Sequence, residues 1–135
     1  MKNIIKFIAL LFIAFSCKTN AQLDTLNYMK QFETNKIEYI NKPFSYLLSQ
    51  ITQIQPKSVW FSPNINNKNI IKKSIFKFCD MEYSFNRNVI LEITWQNDIP
   101  RSEVKYYEDK NHFYFTEEER AFYGNRVVKD IIVYK

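Results

Sequence analysis

Apolar residues recur at helical spacing from residue 23 onward, and this pattern predicts two helices at the start of the folded domain. In residues 23–41 the apolar face consists of Leu23, Leu26, Met29, Ile37 and Ile40, flanked by Tyr28, Phe32 and Tyr39. Pro43 ends this pattern, because a proline disfavours helix in the residue before it, and it suits the first turn of the next helix. That second helix should extend to Gln53. Its buried side should hold Phe44, Leu47, Leu48 and Ile51.

Four later apolar runs predict strands, because they are short and rich in β-branched and aromatic residues. They cover residues 59–61, 71–83, 89–95 and 127–134. The third run alternates most clearly, and its core-facing residues should be Val89, Leu91, Ile93 and Trp95. Residues 84–88 should link the second and third strands as an antiparallel hairpin. Residues 96–101, which include Pro100, should form a turn.

A helical insertion is predicted between the third and fourth strands. Ser102 can cap a short helix that extends through Asp109, and Thr116 and Glu119 have the spacing of a capping box at the start of the next. Gly124, the sole glycine, should cap that helix in a left-handed conformation. The predicted order is two helices, three strands, a helical insertion and a last strand. This order does not alternate strand and helix as a parallel βαβ series would. The predicted fold is therefore α+β, with an antiparallel sheet of about four strands and helices on one face.

The first 21 residues have the layout of a secretory signal peptide. Lys2 and Lys6 give a positive start, residues 7–15 are an unbroken apolar run, and no acidic residue occurs before Asp24. A membrane-spanning helix needs about 20 apolar residues, more than twice the length of this run. We therefore predict export of the protein rather than a transmembrane helix.

Two processing sites remain open for this segment. The sequence AFSC partly resembles a bacterial lipobox, which predicts cleavage before Cys17 and lipid attachment to that residue. The sequence TNA fits ordinary cleavage after Ala21. We favour the lipoprotein, because one of only two cysteines lies at the end of the apolar run. The predictions are a signal peptide over 1–21, a single domain over 22–135, and a lipoprotein at the outer membrane or periplasmic face. Ordinary cleavage would instead give a soluble periplasmic or secreted protein.

Composition excludes several classes of function. Residues 22–135 contain 16 Lys and Arg and 14 Asp and Glu, a net charge of +2, whereas nucleic-acid-binding domains usually carry a strong basic excess. The single glycine excludes Gly-rich phosphate loops, which need several glycines close together. Cys79 lies beside Phe76 and Phe78, which predicts a small buried hydrophobic residue rather than a reactive thiol. We expect no nucleic-acid partner and no cofactor.

Candidate catalytic and metal-binding residues are few. His112 is the only histidine, and we interpret it as a surface residue near a turn. Zinc sites need three or four ligands, and none of the usual paired histidine or cysteine motifs occurs. Glu117, Glu118 and Glu119 point in different directions around a helix, so we interpret them as capping and helix-dipole residues. The sequence predicts no catalytic or metal site.

Tyrosine and phenylalanine concentrate between residues 106 and 123. Most of these rings should be core, but a tyrosine combines a rigid apolar face with a polar tip and suits a binding surface. The candidate interaction surface consists of Tyr106, Tyr107 and Tyr114. We predict a non-catalytic envelope module that binds a protein or a cell-wall glycan. The alternative is a small periplasmic hydrolase, whose site would join His112 or two acidic residues in a pocket.

Overall fold

A computed structural model describes residues 23–135 of the chain. The predicted signal peptide and Cys17 lie outside the described residues. The helices are α1 (Thr25–Thr34), α2 (Phe44–Gln50), α3 (Arg101–Asn111) and α4 (Glu117–Gly124), with 3-10 helices at Lys36–Glu38 and Met81–Tyr83. The strands are β1 (Ser58–Ser62), β2 (Ile70–Lys77), β3 (Ile90–Pro100) and β4 (Val128–Tyr134).

The four strands form one antiparallel sheet in the order β1-β2-β3-β4, and the predicted α+β fold is confirmed. Helices pack on the inner face of the sheet. The ring of Phe44 in α2 lies 4.7 Å from that of Phe76, and the ring of Tyr123 in α4 stacks on Trp95 at 5.7 Å. These large rings join both helices to the middle strands, so the core lies between the sheet and this helical layer.

Alternation in β3 assigns its two faces as predicted. Leu91, Ile93 and Trp95 are buried on the inner face, and Val89, just before the strand, packs against the same core. Cross-strand partners lie on the same face of a sheet. The half-buried outer face therefore includes the row of paired residues Trp60, Ile75, Glu92 and Ile132.

The predicted turn at residues 96–101 is wrong, because β3 continues to Pro100. Ile99 is fully buried and pairs with Ile71, so β3 returns to the core after the exposed residues 96–98. The strand pairing shifts between Ile71 and Lys73 of β2, which marks a bulge in the ladder. Residues 95–98 of β3 have no partner in β2, so the ladder is interrupted within the segment predicted as a turn.

The strand predicted over residues 71–83 is shorter, and the connection to β3 is longer than the predicted hairpin loop. β2 ends at Lys77, and the connection contains the 3-10 helix Met81–Tyr83. Cys79 lies in this connection and is half-exposed, so its prediction as a buried residue is wrong. Phe78, the first residue after the strand, is still buried, so the apolar run extends beyond the ladder itself.

The long helix predicted over residues 23–41 ends at Thr34 and gives way to the 3-10 helix Lys36–Glu38. Ile37, expected on the apolar face, is 88% exposed, whereas Tyr39, expected on the flank, is buried. A 3-10 turn has three residues per turn rather than 3.6, so it changes which side chains face the core. The second helix also ends early, at Gln50 rather than Gln53, although its four predicted core residues are all buried.

The predicted helix ends are partly confirmed. Thr116 and Glu119 form the capping box at the start of α4. Ser102 does not cap α3, because this helix already starts at Arg101, directly after Pro100. Gly124 does not adopt a left-handed conformation. It is the buried last residue of α4, and a Cβ atom on it would lie 3.4 Å from the Cβ of Ser45, so its place in the fold is a close approach of two helices.

Other backbone segments pair with both outer strands. At the β1 edge, the Val59 N–H donates to the Phe113 carbonyl, which follows α3, at 3.0 Å. At the start of β4, the Asn41 N–H, which precedes α2, donates to the Val128 carbonyl at 2.8 Å. The edges of the sheet are therefore partly covered by the chain itself.

Candidate functional site

Tyr106 and Tyr107 of α3 lie beside Phe122 of α4 and line a cleft between the two helices, which we call the α3–α4 groove. Its volume is about 600 Å³. Its lining residues are Glu103, Tyr106, Tyr107, Phe122, Asn125 and Arg126. A second depression of about 420 Å³ shares the same three rings and continues toward Lys110 and Glu118. The surface is therefore elongated, with aromatic rings at its centre.

The three rings have different degrees of exposure, which follow from their packing. The Tyr107 ring packs against Phe122 with centroids 4.7 Å apart, and both are half-buried. The Tyr106 ring meets Tyr107 edge-on, with centroids 5.1 Å apart and planes at 84°. Tyr106 is 58% exposed. The groove thus has a fixed wall, from which one tyrosine face projects into solvent.

Charged side chains lie at both ends of the groove, and they are paired. Arg126 donates to the Glu103 carboxylate at 2.8 Å at one end. Lys110 donates to Glu118 at 2.6 Å at the other. Hydrogen bonds from the Asn111 amide and the Lys110 ammonium lower the pKa of Glu118. The groove therefore presents donors and acceptors together, with little net charge.

Tyr114 is not part of this groove. It is 50% exposed and pairs with Ser58 at the β1 edge of the sheet. Among the aromatic pairs of residues 23–135, none joins Tyr114 to Tyr106 or Tyr107. The sequence-predicted surface is therefore divided between two places, of which only the α3–α4 groove is concave.

A second group of aromatic rings, on the outer face of the sheet, was missed by sequence reasoning. Trp60 on the outer face of β1 stacks on Phe113, with centroids 4.2 Å apart and planes at 12°. Phe85, from the connection between β2 and β3, meets Trp60 edge-on at 5.6 Å. We call these three residues the Trp60 cluster. The apolar run Val59–Phe61 has no polar alternation, and this was the available signal that the outer face of β1 is also apolar.

The contacts of His112 and of the acidic residues near it indicate what each of these side chains does in the fold. His112 is exposed and caps the end of α3 in a left-handed conformation, with φ 52°. Glu119 is buried in the capping box, and Glu118 binds Lys110. Glu117 is exposed and lies 3.6 Å from Arg120. In residues 23–135 no group of three or more His, Cys, Asp or Glu side chains is placed to hold a metal ion.

Several buried polar groups belong to the inner face of the sheet and to α3 and α4. The Trp95 indole N–H donates to the Ser74 hydroxyl at 2.9 Å. Burial raises the pKa of the Tyr123 phenol. Arg101 donates to the nearly buried Glu108 at 2.7 Å. These groups pair within the core and line neither depression of the groove.

No helix in residues 23–135 is long and apolar enough to cross a bilayer. Among the surfaces of this part, the α3–α4 groove and the Trp60 cluster are built around partly exposed aromatic rings. Comparisons of the chain with protein-family models, with curated proteins and with solved structures found no match.

Proposed function

We propose that this protein is an exported, non-catalytic module of the cell envelope that binds a neutral glycan chain in the α3–α4 groove. The observation that carries the proposal is the exposed Tyr106 ring, held by Tyr107 and Phe122 and flanked by paired charges. The signal-like sequence of residues 1–21 supports export, and Cys17 is the proposed site of lipid attachment.

The chemistry of the groove suits a sugar. A tyrosine ring offers a rigid apolar face against which the C–H face of a sugar ring can stack, with little loss of side-chain freedom. Sugar hydroxyls both donate and accept hydrogen bonds. The carboxylate of Glu103 and the guanidinium of Arg126 supply acceptors and donors at one end, and Glu118 and Lys110 at the other.

The charge balance favours a neutral ligand over a charged peptide. Each cation at the groove is already within 2.8 Å of a carboxylate, so a charged ligand would have to displace an existing ion pair. The elongated shape, with one ring cluster between two polar ends, matches a short linear chain. A glycan of a few sugar residues meets both conditions.

Isothermal titration of the folded domain with neutral oligosaccharides, selected on a glycan array, tests this proposal. Tyr106→Ala should weaken binding at least tenfold, because the exposed ring supplies the stacking surface. Tyr83→Ala is the matched control, since Tyr83 is 52% exposed on the loop between β2 and β3 and should leave affinity unchanged. Equal affinities of the wild type and Tyr106→Ala would reject the groove as the site. Capture of an envelope protein that depends on Tyr106, without glycan binding, would replace the glycan with a protein ligand.

A further inference from the structure

Two consecutive left-handed residues place Phe113 on the outer face of the sheet. His112 has φ 52° and Phe113 has φ 67°, and neither residue type favours this conformation as glycine does. A left-handed conformation costs about 1–2 kcal/mol for such a residue. As a result, Phe113 stacks on Trp60, whereas Phe115, two residues later, lies in the core with its ring 5.4 Å from Phe76. Phe113 therefore lies outside the core at the cost of backbone strain in residues 112 and 113.

Phe85 extends the same apolar surface into solvent. It is 83% exposed, and its ring meets the edge of Trp60. A ring so exposed adds little to the stability of the fold, because most of its apolar area stays in contact with water. Phe85 lies beside the half-buried Trp60 and Phe113, and partly exposed apolar groups that lie together are typical of ligand-binding surfaces. The Trp60 cluster therefore has the properties of a contact surface.

The charge beside the cluster is positive. The Lys77 Nζ lies 5.3 Å from the centre of the Trp60 ring and donates to the Ser84 carbonyl. None of the ion pairs within residues 23–135 uses Lys77. Residues 57–89 contain six Lys and Arg against two Asp and Glu, a net charge of +4. Residues 98–123 contain four and seven respectively, a net charge of −3. The segment that carries Trp60, Lys77 and Phe85 is therefore basic, which favours an acidic ligand there.

We propose that the Trp60 cluster and Lys77 form a second binding surface, which takes an acidic polysaccharide. Its sugar rings would lie against Phe85 and Phe113, and a carboxylate would pair with the Lys77 ammonium. The rings lie on a strand face and an adjoining loop, which suits an extended chain laid across the sheet. This surface is separate from the α3–α4 groove and does not depend on the function proposed for it.

Binding of a polyuronate, polygalacturonate, to the folded domain tests the inference. Phe85→Ser and Lys77→Gln should each weaken binding at least tenfold. Tyr83→Ser and Lys68→Gln are matched controls, because both residues are exposed in the same region, outside the cluster, and they should stay within twofold of the wild type. Affinity should fall as salt is raised, because the ammonium–carboxylate attraction is screened.

Three further ligands distinguish a polyuronate site from a surface that binds any polymer, an acidic protein or a membrane. Neutral dextran should not bind to the cluster, polyglutamate should bind at least tenfold more weakly than the polyuronate, and vesicles of anionic phosphatidylglycerol should not compete. Equal binding of polyglutamate, or competition by the vesicles, would overturn the assignment in favour of a protein or a membrane. Unchanged binding in Phe85→Ser would also overturn it. Loss of polyuronate binding in Tyr106→Ala would move the site to the α3–α4 groove.

Discussion

Replacement of Gly124 by alanine tests whether the only glycine in the chain is needed for its backbone conformation or for its small size. If Gly124 adopted a left-handed conformation, a Cβ atom would strain the backbone and lower the free energy of unfolding by about 1–2 kcal/mol. In the structure Gly124 has no positive φ and ends α4 against Ser45 of α2. The conformation itself therefore accepts an alanine, and the space around it decides the result.

That space is just sufficient for one methyl group. The new Cβ would lie 3.4 Å from the Ser45 Cβ and 3.9 Å from its Cα, which are close but ordinary van der Waals distances. Alanine in place of glycine at a compatible position raises the free energy of unfolding by about 0.4–1 kcal/mol, chiefly because the unfolded chain loses freedom. For Gly124→Ala we expect such a gain, which corresponds to roughly 2–5 °C in Tm.

Urea melts followed by circular dichroism measure the change, with two companion variants. Gly124→Val adds two further methyl groups against Ser45 and should lower the free energy of unfolding by about 1–3 kcal/mol through overpacking. Ala121→Gly, at an exposed position of the same helix, should lower it by about 0.5–1 kcal/mol through backbone freedom alone. A clear loss of stability in Gly124→Ala would refute the reasoning, since neither the backbone nor the contact distance accounts for one.

Four further predictions follow from the described contacts and from the signal-like pattern of residues 1–21. Ile93→Ala should lower the free energy of unfolding by about 2–5 kcal/mol in denaturant melts, because Ile93 is fully buried, whereas Thr94→Ala on the outer face should change it by less than about 0.5 kcal/mol. His112→Gly should raise the free energy of unfolding by about 0.5–1 kcal/mol, because it relieves the strain of the left-handed conformation, although glycine also gives the unfolded chain more freedom. An unchanged or lower free energy of unfolding would argue against the strain. Burial raises the pKa of Tyr123, so its contribution to stability is complete below the unfolded pKa of about 10 and declines as the pH rises above that value. Alkaline melts of Tyr123→Phe should therefore show a weaker dependence on pH than those of the wild type. Membrane-extracted protein should have the intact mass of a chain that begins at a lipid-modified Cys17, and a soluble product beginning at Gln22 would contradict this.

Local patterns predicted the elements that depend on local interactions. The alternation in β3 identified its buried face, and the Thr116–Glu119 spacing identified a capping box, because a few neighbouring residues determine each feature. The continuation of β3 to Pro100 was missed, because it depends on pairing with Ile71 in another strand. The prediction for Gly124 was wrong for a similar reason, since its role is defined by Ser45, which lies far away in the sequence.

The two candidate surfaces differ in the same way, since one depends on residues that are adjacent in the sequence and the other on residues that are far apart. Tyr106 and Tyr107 are adjacent in the sequence, and their helix presents both to one groove. Trp60, Phe85 and Phe113 come from a strand, a loop and a left-handed turn, and no periodicity relates them. Only the tertiary fold brings these three rings together, so the sequence could not indicate that cluster.

The pairing at the start of β4 has a consequence for the order of folding. The ladders of β1 with β2 and of β2 with β3 can form through the connections 63–69 and 78–89 with a small entropic cost, whereas β4 pairs with β3 only after the helical insertion. The contact between Lys36 and Asp130 instead joins residues 94 positions apart. Contacts of such long range form slowly, and an intermediate without them would leave the edge of β4 open to a second molecule. The yield of refolded protein should therefore fall as the protein concentration rises, because two molecules can associate through β4 before the N-terminal helices dock.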